Sequence, residues 1–127
     1  MPEDRFPTTW SGRTALVTAA GEIDLTNAES LRDALLTALN TGALGLVVDL
    51  TATTFLDSAG VNALVRASRR AAGTEATLRL AVTAPAVRRV LDLVGIDQLI
   101  EVYPDVTEAL ASLPGYGAEP LTLREPH

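Results

Sequence analysis

Strand-type and helix-type patterns alternate along this chain and predict an α/β domain: a mixed, mostly parallel β-sheet flanked by about four helices. Three observations carry that prediction. Short apolar runs bounded by turn residues alternate with segments whose apolar residues recur at helical spacing. The run Leu44–Leu50, with Leu46-Val47-Val48 at its centre, is apolar except for Asp49 near its end, as suits a strand buried on both faces inside a helix-covered parallel sheet. The 127 residues suffice for one domain that buries about two-thirds of its unfolded surface.

The elements follow in order. Phe6–Ser11 and Thr14–Ala19, rich in Thr, Val and aromatics, read as strands joined by a tight turn at Gly12-Arg13. Gly21-Glu22-Ile23-Asp24-Leu25 reads as a polar loop. Thr26 and Glu29 have capping-box spacing, and Ala28, Leu31, Leu35 and Leu39 mark a helix that Gly42 stops, with Arg32 and Asp33 on its outer face. After the strand Leu44–Leu50 comes a polar stretch, Thr51–Thr54, and then Phe55-Leu56-Asp57-Ser58-Ala59-Gly60. A second helix is predicted from about Ser58 to Ala72, with Val61, Leu64, Val65, Ser68 and Ala72 inward and Gly73 as its end. Arg66, Arg69 and Arg70 then fall near the negative end of its dipole, on a solvated face. Thr77–Val82 reads as a strand, and Pro85 suits a first helical position. Val87, Val90, Leu91 and Val94 make an apolar stripe closed by Gly95. Leu99–Val102 is a short strand-type element, and Asp105 with Glu108 opens a last helix through Leu110 to Leu113. One domain over residues 6–113 is expected, with residues 1–5 and 114–127 flexible, the latter rich in Gly, Pro and polar residues.

Composition removes several chemistries. Cys is absent, and the one His is His127, so thiolate sites, a Ser-His-Asp triad and an imidazole-bound metal cannot be assembled. There is no Lys, which excludes Schiff-base chemistry and a P-loop. No G-x-G-x-x-G follows a strand. Sixteen acids against ten Arg give a net charge of −6, the wrong field for a phosphate backbone, so direct nucleic-acid binding is not expected. The first residues, Met-Pro-Glu-Asp-Arg-Phe-Pro, are acidic and lack an apolar core, unlike a signal peptide. No apolar run approaches the ~20 residues of a membrane span. A soluble, cytoplasmic protein without membrane insertion is the expectation.

One segment departs from plain α/β design. Asp57 is well typed as a helix N-cap, which puts Ser58 at the first helical position near solvent, and Gly60 permits close approach of another surface. No histidine or lysine is at hand to activate Ser58, so it is better suited to accept another protein's chemistry than to perform its own. On local pattern alone, a cap that serves only the helix accounts for Asp57-Ser58, as it would at any capped helix start. Asp24, Asp49 and Asp57 could converge near one end of the sheet as an enzyme site. Against that, Asp49 reads as a strand-end residue satisfied by loop amides, and Trp10 as packing.

Three blocks in order over about residues 8–113 resemble the STAS domain of bacterial anti-sigma factor antagonists. They are Gly21-Glu22-Ile23-Asp24 with Asn27-Ala28; Val47-Val48-Asp49-Leu50 through Asp57-Ser58-Ala59-Gly60; and Pro85 through Val87-Arg88-Arg89-Val90-Leu91 to Val94-Gly95-Ile96, with Glu108-Ala109 beyond. The resemblance implies a single STAS-like domain that is not an enzyme and binds no cofactor. The unphosphorylated form would bind an anti-sigma factor that is itself a serine kinase, and so release a sigma factor. The kinase, holding ATP, would phosphorylate Ser58 and end binding, and a serine phosphatase would reset it. Partner contacts are expected from Gly21, Glu22, Ile23, Asp24, Asp57, Ser58, Ala59 and Gly60. Ala59 departs from the Ser or Thr often found there, removing a second hydroxyl but sparing the acceptor. The same resemblance leaves a second expectation: a non-phosphorylated subunit or scaffold of a transport or stress-signalling complex. The free-standing length and the lack of a membrane segment weigh against a transporter fragment.

Overall fold

A computed structural model describes residues 6–117 and 122–123. Its elements are β1 (Thr8–Ser11), β2 (Thr14–Ile23), α1 (Ala28–Asn40), β3 (Gly45–Leu56), α2 (Ser58–Thr74), β4 (Thr77–Val82), α3 (Pro85–Leu93), a 3₁₀ turn (Ile96–Gln98), β5 (Glu101–Tyr103), α4 (Val106–Ala111) and β6 (Thr122–Leu123). The strands form one six-stranded sheet in the order β5-β4-β3-β2-β1-β6. β2 to β5 are mutually parallel, whereas β1 pairs antiparallel with both β2 and β6. The mixed, mostly parallel α/β architecture read from the sequence is therefore the observed one.

Connection handedness explains the layers. β2, β3, β4 and β5 are laid down side by side in one direction, and right-handed crossovers then place α1, α2 and α3 on a single face. Alternation along the strands matches. Ala15, Val17, Leu46, Val48, Leu50, Leu78 and Leu80 pack with Leu31, Leu35, Leu64, Val87 and Leu91 of those helices. Leu16, Val47 and Ala81 point the other way, to Ala109 and Leu110 of α4 and Leu113 beyond it. Trp10 belongs to the main core, as expected for packing.

Several local expectations are corrected. β2 runs through the presumed loop to Ile23, and β3 continues through Thr51–Thr54 to Leu56. β3 pairs with β4 only as far as Leu50↔Val82, while its pairing with β2 continues to Ile23↔Leu56. A two-stranded ribbon thus projects beyond the sheet. Its residues are polar because they have lost a neighbouring strand, and threonine suits a strand that is half exposed. The buried Thr53 hydroxyl donates to the Ala19 carbonyl at 3.1 Å, at one of two register irregularities.

The Thr26–Glu29 capping box does not form; Asn27 is the N-cap of α1, and Thr26 bonds Asp24 instead. α2 passes through Gly73 and ends at Thr74, with Glu75 in the left-handed region at φ 63°. Its buried face is Gly60, Ala63, Leu64, Ala67 and Ala71. Ala72 is exposed, and Val61, Val65 and Ser68 are half-buried, because the face is narrow and small-residue where α2 packs on α1. Val94 is exposed; Ile96 and Ile100 fill the core in its place, since α3 stops at Leu93. The flexible ends predicted for 1–5 and 114–127 fall mostly outside the described residues; of the latter, Thr122 and Leu123 pair with β1.

Candidate functional site

The site forms where the β2–β3 ribbon passes into α2. Asp57 takes an extended conformation as N-cap, and its carboxylate accepts from the amides of Ala59 at 2.9 Å and Gly60 at 3.2 Å. Its own N–H donates to the Ile23 carbonyl at 3.2 Å, tying the end of β2 to the start of α2. Helix starts leave N–H groups without intrahelical partners. Here the cap takes those of Ala59 and Gly60, leaving that of Ser58 without a partner among the described residues. Ser58 is exposed, and no group among them bonds its hydroxyl. Replacing Asp57 by Ala removes a cap worth about 1 kcal/mol. Urea denaturation should show a lower midpoint at an unchanged slope.

Gly60 is close-packed for an internal reason. A Cβ at this position would press into Leu56 Cδ1 and lie 2.9 Å from Ile23 Cγ2. The surface it admits is the protein's own ribbon, not a visitor.

The second motif arrives beside the first through strand pairing, Glu22 opposite Phe55 and Ile23 opposite Leu56. Gly21 holds φ 76° at the second register irregularity. Asn27 clasps the turn that follows: its Oδ1 accepts from the Asp24 amide at 3.0 Å, and its Nδ2 donates to the Glu22 carbonyl at 2.9 Å. Asp24 accepts from the Thr26 hydroxyl at 2.6 Å and amide at 2.9 Å. Those two bonds hold its carboxyl below the usual aspartate value, with the hydroxyl the larger cause. The carboxylate is therefore ionised at neutral pH.

All eight expected contact residues come together, but not all reach the surface. Gly21, Glu22 and Ser58 are exposed; Asp24, Asp57 and Ala59 are half-buried; Ile23 and Gly60 are buried and form the floor. Sequence reasoning missed the residues around them. Leu25, 81% exposed, walls a groove of ≈ 200 Å³ with Glu29 and Arg32 of α1 and Ala59 and Asn62 of α2, while Phe55 is 48% exposed on the ribbon. Leu25 was detectable as a large apolar residue outside any helical or strand stripe.

The three acids considered for an enzyme do not converge. Asp49 accepts from the Thr51 amide and hydroxyl, within β3, and extended chain places it roughly 25 Å before Asp57. Asp24 and Asp57 are each hydrogen-bonded inside their own turn.

The STAS domain family model matches residues 6–109. Anti-sigma-F factor antagonist RsfB from Mycobacterium tuberculosis is 29% identical over 101 residues, which are 80% of this chain and 82% of that protein. The fold is similar to that of an anti-sigma factor antagonist from Mycobacterium paratuberculosis, with a TM-score of 0.77 and 27% identity over 84% of this chain and 90% of that one. The anti-sigma factor antagonist SpoIIAA in its unphosphorylated form shares the fold, with a TM-score of 0.68 and 24% identity over 77% of this chain and 87% of that one. Among the described residues no helix is long and apolar enough to cross a membrane.

Proposed function

The chain belongs to the STAS domain family, and from that premise we propose that it is an anti-sigma factor antagonist switched by phosphorylation at Ser58. It acts by binding rather than by catalysis. The unmodified chain binds an anti-sigma factor that is also a serine kinase, in the cytoplasm, and so frees a sigma factor. The Ser58 hydroxyl oxygen attacks the γ-phosphorus of ATP held by that kinase. The new O–P bond replaces the β–γ bridge, ADP leaves, and the hydroxyl proton passes to a base of the kinase. A serine phosphatase hydrolyses the ester and restores the hydroxyl.

The observation that carries this reading is the exposed Ser58, unbonded among the described residues at the first position of α2 and flanked by the Gly21–Asp24 segment that ends β2. A phosphate there brings roughly −1.5 to −2 charges next to the Asp57 carboxylate. The Ser58 amide and the helix dipole offset part of that repulsion, and the ester occupies no core position, so the fold is retained. A partner surface fitted to a neutral hydroxyl instead faces a dianion.

Co-purification from the host identifies the bound kinase. With ATP, that kinase should add one phosphate to the wild type and none to Ser58→Ala, read by intact mass. Phosphate mapped to another residue rejects the site. A bound partner that transfers none rejects the switch.

A further inference from the structure

Arg66, Arg69 and Arg70 lie exposed on α2, as expected of a solvated face, but the expected dipole complementarity does not account for them. The helix continues to Thr74, and its last turn holds no basic residue, so all three lie before the turn in which a dipole effect acts. Nor do they neutralise acids. Ion pairs among the described residues join Arg32 to Glu29 and Asp33, Arg79 to Glu101, and Arg88 to Asp92. The polar partner of the cluster is Asn40 of α1, whose Oδ1 accepts from Arg70 Nε at 2.9 Å. Among the described residues, three cations in about one helical turn are thus left without carboxylates on a chain of net charge −6. With Leu36 they line a groove of ≈ 510 Å³.

The seam between α1 and α2 therefore has opposite charge at its two ends. Glu22, Asp24 and Asp57 gather at the Ser58 end together with Glu29, which Arg32 pairs, so that the acids there outnumber the one cation. Arg66 and Arg70 follow about 12 and 18 Å further along the helix, at 1.5 Å per residue. We propose that this seam is a polarised docking track, and that Arg66, Arg69 and Arg70 seat an acidic segment of the protein that reaches Ser58. The inference rests on the reading that a protein partner visits Ser58, and it adds that partner's charge pattern. Guanidinium forks match carboxylates in pairs, and exposed charges mainly set encounter rate and orientation. At two turns from Ser58 the cluster is too distant to clamp a phosphate on it, so it acts on the partner in both states.

The test uses the isotope-labelled full chain with a short glutamate-rich helical peptide, its lysine counterpart and inorganic pyrophosphate as probes. The glutamate peptide should cause saturable amide shifts at Leu36 and Arg66 to Arg70, weakening as ionic strength rises. Affinity should fall roughly tenfold in Arg66→Ser/Arg69→Ser, which keeps the Arg70–Asn40 bond. The lysine peptide should leave these signals in place. Absent shifts, shifts equal in the double variant, or binding of pyrophosphate without the peptide would each overturn the proposal. Groove shifts with no phosphate transfer to Ser58 would sink only the switch; transfer without groove shifts would sink only the track.

Discussion

Replacing Ser58 by Asp should lower affinity for the anti-sigma partner at least about tenfold, whereas Ser58→Ala should bind as the wild type does. Two unit charges about 4 Å apart repel by ~1 kcal/mol in water and ~4 kcal/mol near a protein surface. Each 1.4 kcal/mol is tenfold in affinity. The aspartate carries one charge against roughly two on a phosphate, so the phosphorylated chain should bind more weakly still. Both variants should melt with the wild type, because the side chain is exposed and unbonded. Calorimetric titration of the three forms against the partner decides the matter. Equal affinities for Ser58→Ala and Ser58→Asp would remove the electrostatic basis of the switch.

Gly60→Ala should cost about 1–3 kcal/mol, the usual range for overpacking a filled interior. The added methyl meets Leu56 and Ile23, which are 2% and 0% exposed and have no free space to enter. Relief requires moving the start of α2 away from the ribbon, and Ser58 moves with it. Phosphate transfer should therefore slow along with the loss of stability. Gly73→Ala supplies the control. That glycine is exposed in the same helix with nothing within 4 Å of a new Cβ, so the same substitution should stabilise by about 0.5–1 kcal/mol. Urea midpoints moving in opposite directions would separate close approach from helix propensity; a loss at both positions would refute the packing account.

Different features of the site were legible to different degrees. Asp57 as a cap and Ser58 as an exposed first helical residue follow from residue type and the helical stripe behind them, and both are observed. The Gly21–Asp24 motif falls beside the right helix, yet its local pattern reads as a loop. It is the end of a strand whose partner includes Thr51–Thr54, which also reads as a polar stretch. Periodicity reports burial, and these residues are buried on neither face consistently, so nothing local distinguishes a projecting ribbon from a loop.

The sequence by itself determined the order of elements, the parallel sheet with helices on it, and the chemical poverty of a chain without Cys, Lys or an interior His. Those properties depend on composition and on spacings within one segment. Only the tertiary structure decided that β2 and β3 outrun the sheet, that Gly60 yields to Leu56 and Ile23, that Asn27 clasps the Glu22–Asp24 turn, and that three arginines share a groove with α1. Each of these joins residues from different turns or strands, and register and close approach are fixed by packing between segments, which no single segment encodes.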